Sequence, residues 1–232
     1  MVPRALEPSG VALVDKPAGP SSFAIVAQIR RMTGARTGHA GTLDPFATGL
    51  LLVLSGRTTK IAPCLVGLDK RYRTDVDLTA RTSTGDPEGE IVETLDPPDE
   101  KELERRLAGL RGEIELPIPA ASAVKIGGER AYRLARRGVE VEMPLRRSVV
   151  HALDVIAYTG DAVTLDLRVS SGTYIRAIAD AVGGHCRALR RTEVGPFEVL
   201  DAVEPAAFEP GLLIPEADVL GRVQQADGGS AT

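Results

Sequence analysis

Residues 38–49, Gly-His-Ala-Gly-Thr-Leu-Asp-Pro-Phe-Ala-Thr-Gly, exclude both a regular helix and a regular strand. Gly38, Gly41 and Gly49 open backbone angles closed to other residues, and Pro45 removes a backbone donor. Leu43 and Phe46 are apolar, so this loop packs against the body of the protein. Its one carboxylate is Asp44. Pro45 disfavours the α region for Asp44 and fixes the backbone just beyond it. Asp-Pro alone is a common turn opener. The surrounding glycines exceed what a simple turn needs, and a rigid loop presenting one aspartate suits a nucleophile or a general base. On this segment alone both readings stand open.

The 232 residues fit one large domain, or a domain with a small appendage, and 43% hydrophobic content is enough for a core. Leu50–Leu54 is the longest type of apolar run and is far too short to span a bilayer. Val11–Val14 is cut off by Asp15 and Lys16, so no signal peptide is expected. Cys64 and Cys186 form no CxxC pair and read as reduced thiols of a cytoplasmic protein. His39, His151 and His185 show no zinc spacing with them, so no metal is expected. Phosphate-loop, dinucleotide and G-x-S-x-G signatures are absent.

A net charge of −4 argues against a nucleic-acid ligand, but its distribution argues for one. Residues 1–73 hold 10 Lys and Arg against 4 Asp and Glu, and residues 125–147 hold 7 against 3. The acid is concentrated in residues 75–104, with 11 against 2, and in residues 198–232, with 7 against 1. A basic face is therefore available. With no Trp, four Tyr and four Phe, a multi-base stacking platform is not expected, and each tyrosine gains interest.

Val11–Val14 reads as a strand, and Ser21 or Ser22 caps a helix to about Met32 that Gly34 stops. Leu50–Leu54 reads as a buried strand and Thr58–Leu65 as a short helix. Tyr72, Thr74, Val76 and Leu78 alternate with Arg71, Arg73, Asp75 and Asp77, which predicts a half-buried strand over 70–78. Further strands are expected near Ile91–Glu93, over 148–157 and 162–170 as a pair, and near Phe197–Leu200. Helices are expected from Pro97 to about Leu110, over Ala131–Arg137 and from Thr173 to about Val182, and the tail from Gly221 is expected to fray. Consecutive strands outnumber helices. The predicted class is α+β around a central mixed or largely antiparallel sheet flanked by helices and loops.

A carboxylate that does chemistry usually needs a cation to hold it ionised. Arg176 follows the sharp Ser170-Ser171-Gly172 exit and stands against the dipole of its helix, which suggests another partner, although a surface arginine is the plainer reading. Tyr72 falls on the apolar face of its strand, as a core tyrosine or as a ring at a cleft rim.

Lys16-Pro17, the Gly38–Gly49 loop, Lys70-Arg-Tyr72-Arg, Ser122-Ala-Val-Lys125, Ala131-Tyr-Arg-Leu-Ala-Arg-Arg-Gly138, Ser170–Ala177 and Ala188-Leu189-Arg190-Arg191 occur in an order that resembles the bacterial TruB family. These enzymes isomerise the T-loop uridine at tRNA position 55 to pseudouridine. The resemblance implies the pseudouridine synthase fold, no metal or cofactor, and tRNA as partner through its T-arm. It places the catalytic aspartate on Asp44, the base-stacking tyrosine on Tyr72 and the arginine pairing with the aspartate on Arg176. It places the histidine that helps hold the disrupted T-loop on His39, which beside glycines also reads as a loop-bracing hydrogen-bonder. RNA contact is implied for Lys16, Lys60, Asp86, Tyr174, Leu189, Arg190 and Arg191, with Asp86 equally a turn residue. A catalytic domain is expected over 1–200, with a short acidic extension over 201–232 in place of a full PUA-like domain, and Ala120-Ala121 stands where some relatives carry a bulkier pair. The enzyme is expected to act as a monomer, with no protein partner and no membrane. A tRNA-folding helper and an aspartate-nucleophile hydrolase of a small substrate are the rival readings.

Overall fold

The structure is a computed structural model that describes residues 7–122, 124–131, 137, 139 and 142–228. The chain builds two compact units, Met1–Tyr72 with Arg190–Thr232 and Arg73–Leu189. The chain leaves the first unit within one strand and returns to it within another.

In chain order the first unit begins with β1 (Gly10–Lys16), α1 (Ser22–Thr33), β2 (Thr37–His39), β3 (Thr48–Ser55), a 3₁₀ turn over Gly56–Ile61 and α2 (Ala62–Gly67). The expected Thr58–Leu65 helix is thus split, and Pro63 opens the α-helical part, where its missing donor costs nothing. The strand β4 (Lys70–Asp77) carries the chain into the second unit. That unit holds β5 (Ala80–Thr82), β6 (Ile91–Thr94), α3 (Glu100–Ala108), β7 (Gly112–Pro117), β8 (Lys125–Ile126), β9 (Glu129–Arg130), β10 (Leu145–Tyr158), β11 (Ala162–Val169) and α4 (Ile175–Val182). The strand β12 (His185–Val194) leads back, followed by β13 (Phe197–Glu198) and α5 (Glu216–Gly228). The basic helix expected over Ala131–Arg137 lies largely outside the described residues.

In the first unit β3 is the central strand. It runs antiparallel to β1, from Gly10 opposite Ser55 to Lys16 opposite Gly49. Its other edge is shared between β2, antiparallel at His39 and Val53, and β12, parallel at Arg190 and Thr48. The sheet is therefore mixed, as expected. Period-2 alternation sorts its side chains onto two faces. Val11, Leu13, Leu50, Leu52 and Leu54 pack with Val194, Phe197, Val219 and Val223. Ala12, Val14, Leu51 and Val53 pack with Ile25, Val26 and Ile29 of α1 and with Phe208. Both faces are buried, which is why Leu50–Leu54 reads as an unbroken apolar run. Each such side chain contributes about 1.5–3 kcal/mol.

The helix α1 is capped as expected. The Ser21 side chain accepts from the Ala24 backbone N–H, and Gly34 closes the other end in the left-handed region. The C-terminal stretch differs from expectation: α5 continues through Gly221 to Gly228. Val219 and Val223, four residues apart, both enter the core and hold it. Single bridges join Val11 to Ile214 and Val14 to Val203.

In the second unit the strand order is β4-β11-β10-β7. The β10–β11 pair is antiparallel, with Leu153 opposite Leu167 and a register shift between Val150 and Ala152. Val163, Leu165, Leu167 and Val169 are buried, the expected alternation of an amphipathic strand. The strands β5 and β6 form a separate ribbon. The sequence reading passed over the longer strands β7 and β12, and the short β2, β5, β8 and β9. Glu113, Glu115, Arg187, Arg190 and Arg191 hide the alternation of β7 and β12, because a buried or half-buried arginine scores as polar.

Candidate active site

Asp44 stands half-buried in the loop between β2 and β3. Three side chains fasten this loop. The Lys16 ammonium donates to the carbonyls of Pro17 at 2.9 Å, Pro45 at 3.0 Å and Ala47 at 2.6 Å. The Ser22 hydroxyl donates to the Leu43 carbonyl and accepts from the Leu43 N–H, both at 2.9 Å. The Arg191 guanidinium donates to Leu50 O at 2.7 Å and Gly41 O at 3.0 Å. Backbone bonds add to these: Gly19 N–H to Pro45 O at 2.9 Å and Ala47 N–H to Asp44 O at 3.2 Å. Leu43 and Ala47 are buried on either side of Asp44. So the residues before and after the carboxylate are both tied down, which is the condition for a pre-aimed reactive group.

Two glycines make this path possible. Gly41 has φ +92° and Gly49 φ +103°, which L side chains rarely adopt. A side chain at Gly49 would also run into the Arg191 backbone, where β3 and β12 pair.

Lys16 and Arg191 correct the expectation of RNA contact. Lys16 is 0% and Arg191 1% exposed, and their donors point at main-chain carbonyls inside the protein. They are loop braces. A buried cation survives here because each N–H named above has an acceptor. Lys70 lies near Arg191, its ammonium donating to the Val66 and Leu68 carbonyls. Burial, reinforced by the Arg191 charge and opposed by Asp69, brings its pKa down to about 8.

His39 lies at the end of β2, half-buried, with the edge of the Phe23 ring against it. Its Nδ1 is shut off from solvent and has no hydrogen-bond partner among the described residues. Burial, and then the Arg191 charge, hold its pKa below the usual histidine value, so the ring is neutral at pH 7. Tyr72 follows the expected alternation of β4 and is 8% exposed. Lys60 is exposed at the end of the 3₁₀ turn. Arg190 is partly exposed and grips Asp15 with both amino groups, at 3.0 and 2.7 Å.

In the second unit, α4 starts with Tyr174 as a half-buried N-cap residue, with no side-chain cap bond and no acid in the first turn. Arg176 in that turn is 4% exposed. Its two amino groups donate to Thr84 O and Ala121 O, both at 2.8 Å, and one lies 3.2 Å from the Asp86 carboxylate. Asp86 is thus one partner of Arg176 within this unit. Asp86 in turn accepts from the Thr84 hydroxyl and from the Glu88 N–H. Asp86, expected at the RNA or as a turn residue, is 4% exposed and lies in the turn that holds Arg176. Leu189, also expected at the RNA, is buried at 7% exposure.

Sequence reasoning missed Ser22, which it saw only as a cap, and Lys70, which it saw only as part of a motif. The signal for Lys70 was its place on the inward side of the β4 alternation. Among the described residues no group of three or more His, Cys, Asp or Glu is placed to hold a metal ion, and no helix is long and apolar enough to cross a membrane.

The TruB family pseudouridylate synthase N-terminal domain matches residues 30–175. The tRNA pseudouridine synthase B of Leifsonia xyli subsp. xyli (strain CTCB07) is 44% identical over 227 residues, covering 90% of this chain and 75% of that protein. That of Corynebacterium jeikeium (strain K411) is 43% identical over 229 residues, covering 90% and 74%. Among solved structures, a chain of a Cbf5-Nop10-Gar1 complex superposes with a TM-score of 0.61 at 31% identity, over 82% of this chain. The protein spans 50% of that longer chain. The matched residues include the braced Asp44 loop, β4 with Tyr72, and the Asp86 turn, and the chain belongs to the TruB family of pseudouridylate synthases.

Proposed function

We propose that this chain is a tRNA pseudouridine synthase that isomerises the T-loop uridine at position 55, with Asp44, Tyr72 and Arg176 as its catalytic residues. The observation that carries the reading is the Asp44 loop, in which Lys16, Ser22 and Arg191 fix the main chain on both sides of one carboxylate. Relatives that match nine-tenths of the chain are named tRNA pseudouridine synthase B, which supports the reading.

The target base is stacked inside a folded RNA and must be turned out, at a cost of a few kcal/mol. Tyr72 stacks on the extruded uracil and His39 supports the opened loop. The Asp44 carboxylate begins the isomerisation, at C1′, at C6 or by taking the C2′ proton. Arg176 is the cation of the catalytic set, aimed by Asp86. The N-glycosidic bond breaks, the uracil turns, C5 joins C1′, and the C5 proton leaves. The atoms balance without an oxidant, a reductant or a metal. Lys60, Tyr174 and Arg190 are the RNA contacts that remain on exposed or half-buried surface. The chain acts as a monomer in the cytoplasm, without a protein partner, over a catalytic domain of residues 1–200 with an acidic extension over 201–232.

The test is release of tritium from tRNA carrying [5-³H]uracil. One tritium lost per tRNA, from the T-loop, supports the reading. A protein that binds tRNA without releasing tritium is the folding helper instead, and one that ignores tRNA is the small-substrate hydrolase.

A further inference from the structure

Two of the four phenylalanines, Phe197 and Phe208, are fully buried, and Phe46 is half-buried. Phe23 is 66% exposed. It occupies the first turn of α1, whose inward face is Ser22, Ile25, Val26, Ile29 and Thr33. A lone exposed apolar ring needs no explanation by itself. Three features of its surroundings set this one apart.

First, Phe23 meets the His39 ring edge to face, with centroids 5.2 Å apart and planes at 75°. His39 lies five residues before Asp44, at the start of the braced loop. Second, the His39 Nδ1 is buried without a hydrogen-bond partner among the described residues. An orphaned polar atom costs free energy in the unliganded fold and calls for a function. Third, the helix is basic: it contains Arg30 and Arg31 and no acidic residue. Phe23, Ala27 and Arg30 fall on one exposed helix face, seven residues making nearly two full turns. An aromatic ring with a cation along the same face suits a base and its backbone phosphate, not an apolar protein surface.

We propose that Phe23 is a base-stacking residue for the substrate RNA, forming with His39 an aromatic corner that receives an unpaired base of the loop being opened, while Arg30 faces the adjoining phosphate. This rests on the pseudouridine synthase reading and adds a positioning residue to it. Phe23 touches none of the atoms that react. Its contribution belongs in substrate affinity and register, not in the chemical step.

The protein contains no Trp, so Phe23→Trp introduces a single tryptophan, excited selectively near its red edge, at the proposed contact. Its emission is expected to fall when a T-arm RNA hairpin is added, and to stay unchanged with a DNA duplex of equal length. In tritium release from tRNA, Phe23→Ala is expected to raise KM about tenfold while kcat stays within about threefold. Phe23→Leu, apolar but without a π-face, is expected to behave like the alanine variant, and Phe23→Tyr to stay within about twofold of wild type. Thermal unfolding of Phe23→Ala should match wild type, since the ring is mostly in solvent. An unchanged KM in Phe23→Ala, or an emission that ignores the hairpin, overturns the proposal. So does a wild-type dimer that Phe23→Ala converts to monomer, because the ring then covers a second copy. If wild type releases no tritium while Phe23→Trp still responds to the hairpin, the stacking contact stands and the assigned reaction is what fails.

Discussion

The Asp44 loop and the Asp86 turn each combine an aspartate with a buried cation, but they are wired in opposite ways. In the Asp44 loop, Arg191 spends its donors on main-chain carbonyls at Leu50 and Gly41. The loop gains rigidity and the guanidinium keeps its field. That field is felt nearby: it helps depress both the Lys70 and the His39 pKa. In the Asp86 turn, the acid itself is buried and lies 3.2 Å from Arg176. The guanidinium meets a carboxylate there and donates to two carbonyls as well. One arrangement braces a carboxylate within a positive field; the other uses a carboxylate to aim a cation. The same residue types thus meet different partners in the two places, the main chain for Arg191 and a carboxylate as well for Arg176.

The sharpest break of this comparison is to remove the charge from each aspartate in turn. Asp44→Asn should lower turnover at least about a thousandfold in single-turnover tritium release while tRNA binding persists, because the amide is nearly isosteric but a very poor nucleophile and base. Turnover within tenfold of wild type would remove Asp44 from its role. Asp86→Asn should act the other way round. It leaves Arg176 buried beside a neutral amide, so thermal unfolding should show a loss of about 1–3 kcal/mol, and kcat should fall about tenfold or more as the guanidinium drifts. Arg176→Lys should lower kcat about tenfold to thousandfold, because an ammonium cannot serve Thr84, Ala121 and Asp86 with one planar fork. If Asp86→Asn instead weakens tRNA binding with kcat intact, Asp86 is a ligand contact and the two loops are wired alike.

A smaller effect sharpens the electrostatic half of the comparison. Lys70 is 5% exposed and its folded-state pKa, about 8, lies below the ordinary lysine value. Its charged form is therefore disfavoured by the fold. Between about pH 8 and pH 10 the unfolded chain holds a proton here that the native state has released, so this group makes stability rise with pH over that window. Below pH 8 both states are protonated and its penalty is constant. Lys70→Met should flatten the rise by on the order of 2 kcal/mol across that window, read from urea unfolding at each pH. An identical slope in both proteins would mean that Arg191 and burial do not act on Lys70 as described.

The sequence announced the Asp44 loop because glycine and proline constrain the backbone locally, and it announced β4 and the β10–β11 pair because their apolar residues alternate. Its limits have a common cause. Lys16, Arg191 and Asp86 are charged side chains that the fold turns inward, and a single chain does not reveal which charges find carbonyl or ionic partners inside. The strand β12 was hidden for the same reason, since Arg191 sits where an apolar residue would have shown the period. The buried end of the acidic tail was hidden by Gly221 and the glutamines, although Val219 and Val223 carry the helical spacing that docks α5. Local backbone chemistry was legible; the long-range partners of polar side chains were not.

Arg190 stands between the two kinds of wiring and offers the finest test. Next to Arg191 on β12 it points the other way, toward the surface, with 41% of its side chain exposed. There it holds Asp15 with two hydrogen bonds, in a cleft of about 560 Å³ that α1, Thr48 and the Glu204–Ala206 segment also line. A pair this exposed is worth about 0–1 kcal/mol, so it can open for a phosphate at little cost. If Arg190 contacts the T-arm, Arg190→Ala should weaken hairpin binding a few-fold and reduce the slope of log Kd against log potassium chloride by roughly one phosphate's worth, with single-turnover chemistry at saturation unchanged. Asp15→Asn frees the guanidinium without removing it and should tighten binding slightly, with the slope kept. The two variants therefore move affinity in opposite directions if the arginine is shared between protein and RNA. If both leave affinity and slope at the wild-type values, the Arg190–Asp15 pair belongs with Arg191 among the internal braces, and the phosphate contacts of this unit lie with Lys60 and α1 instead.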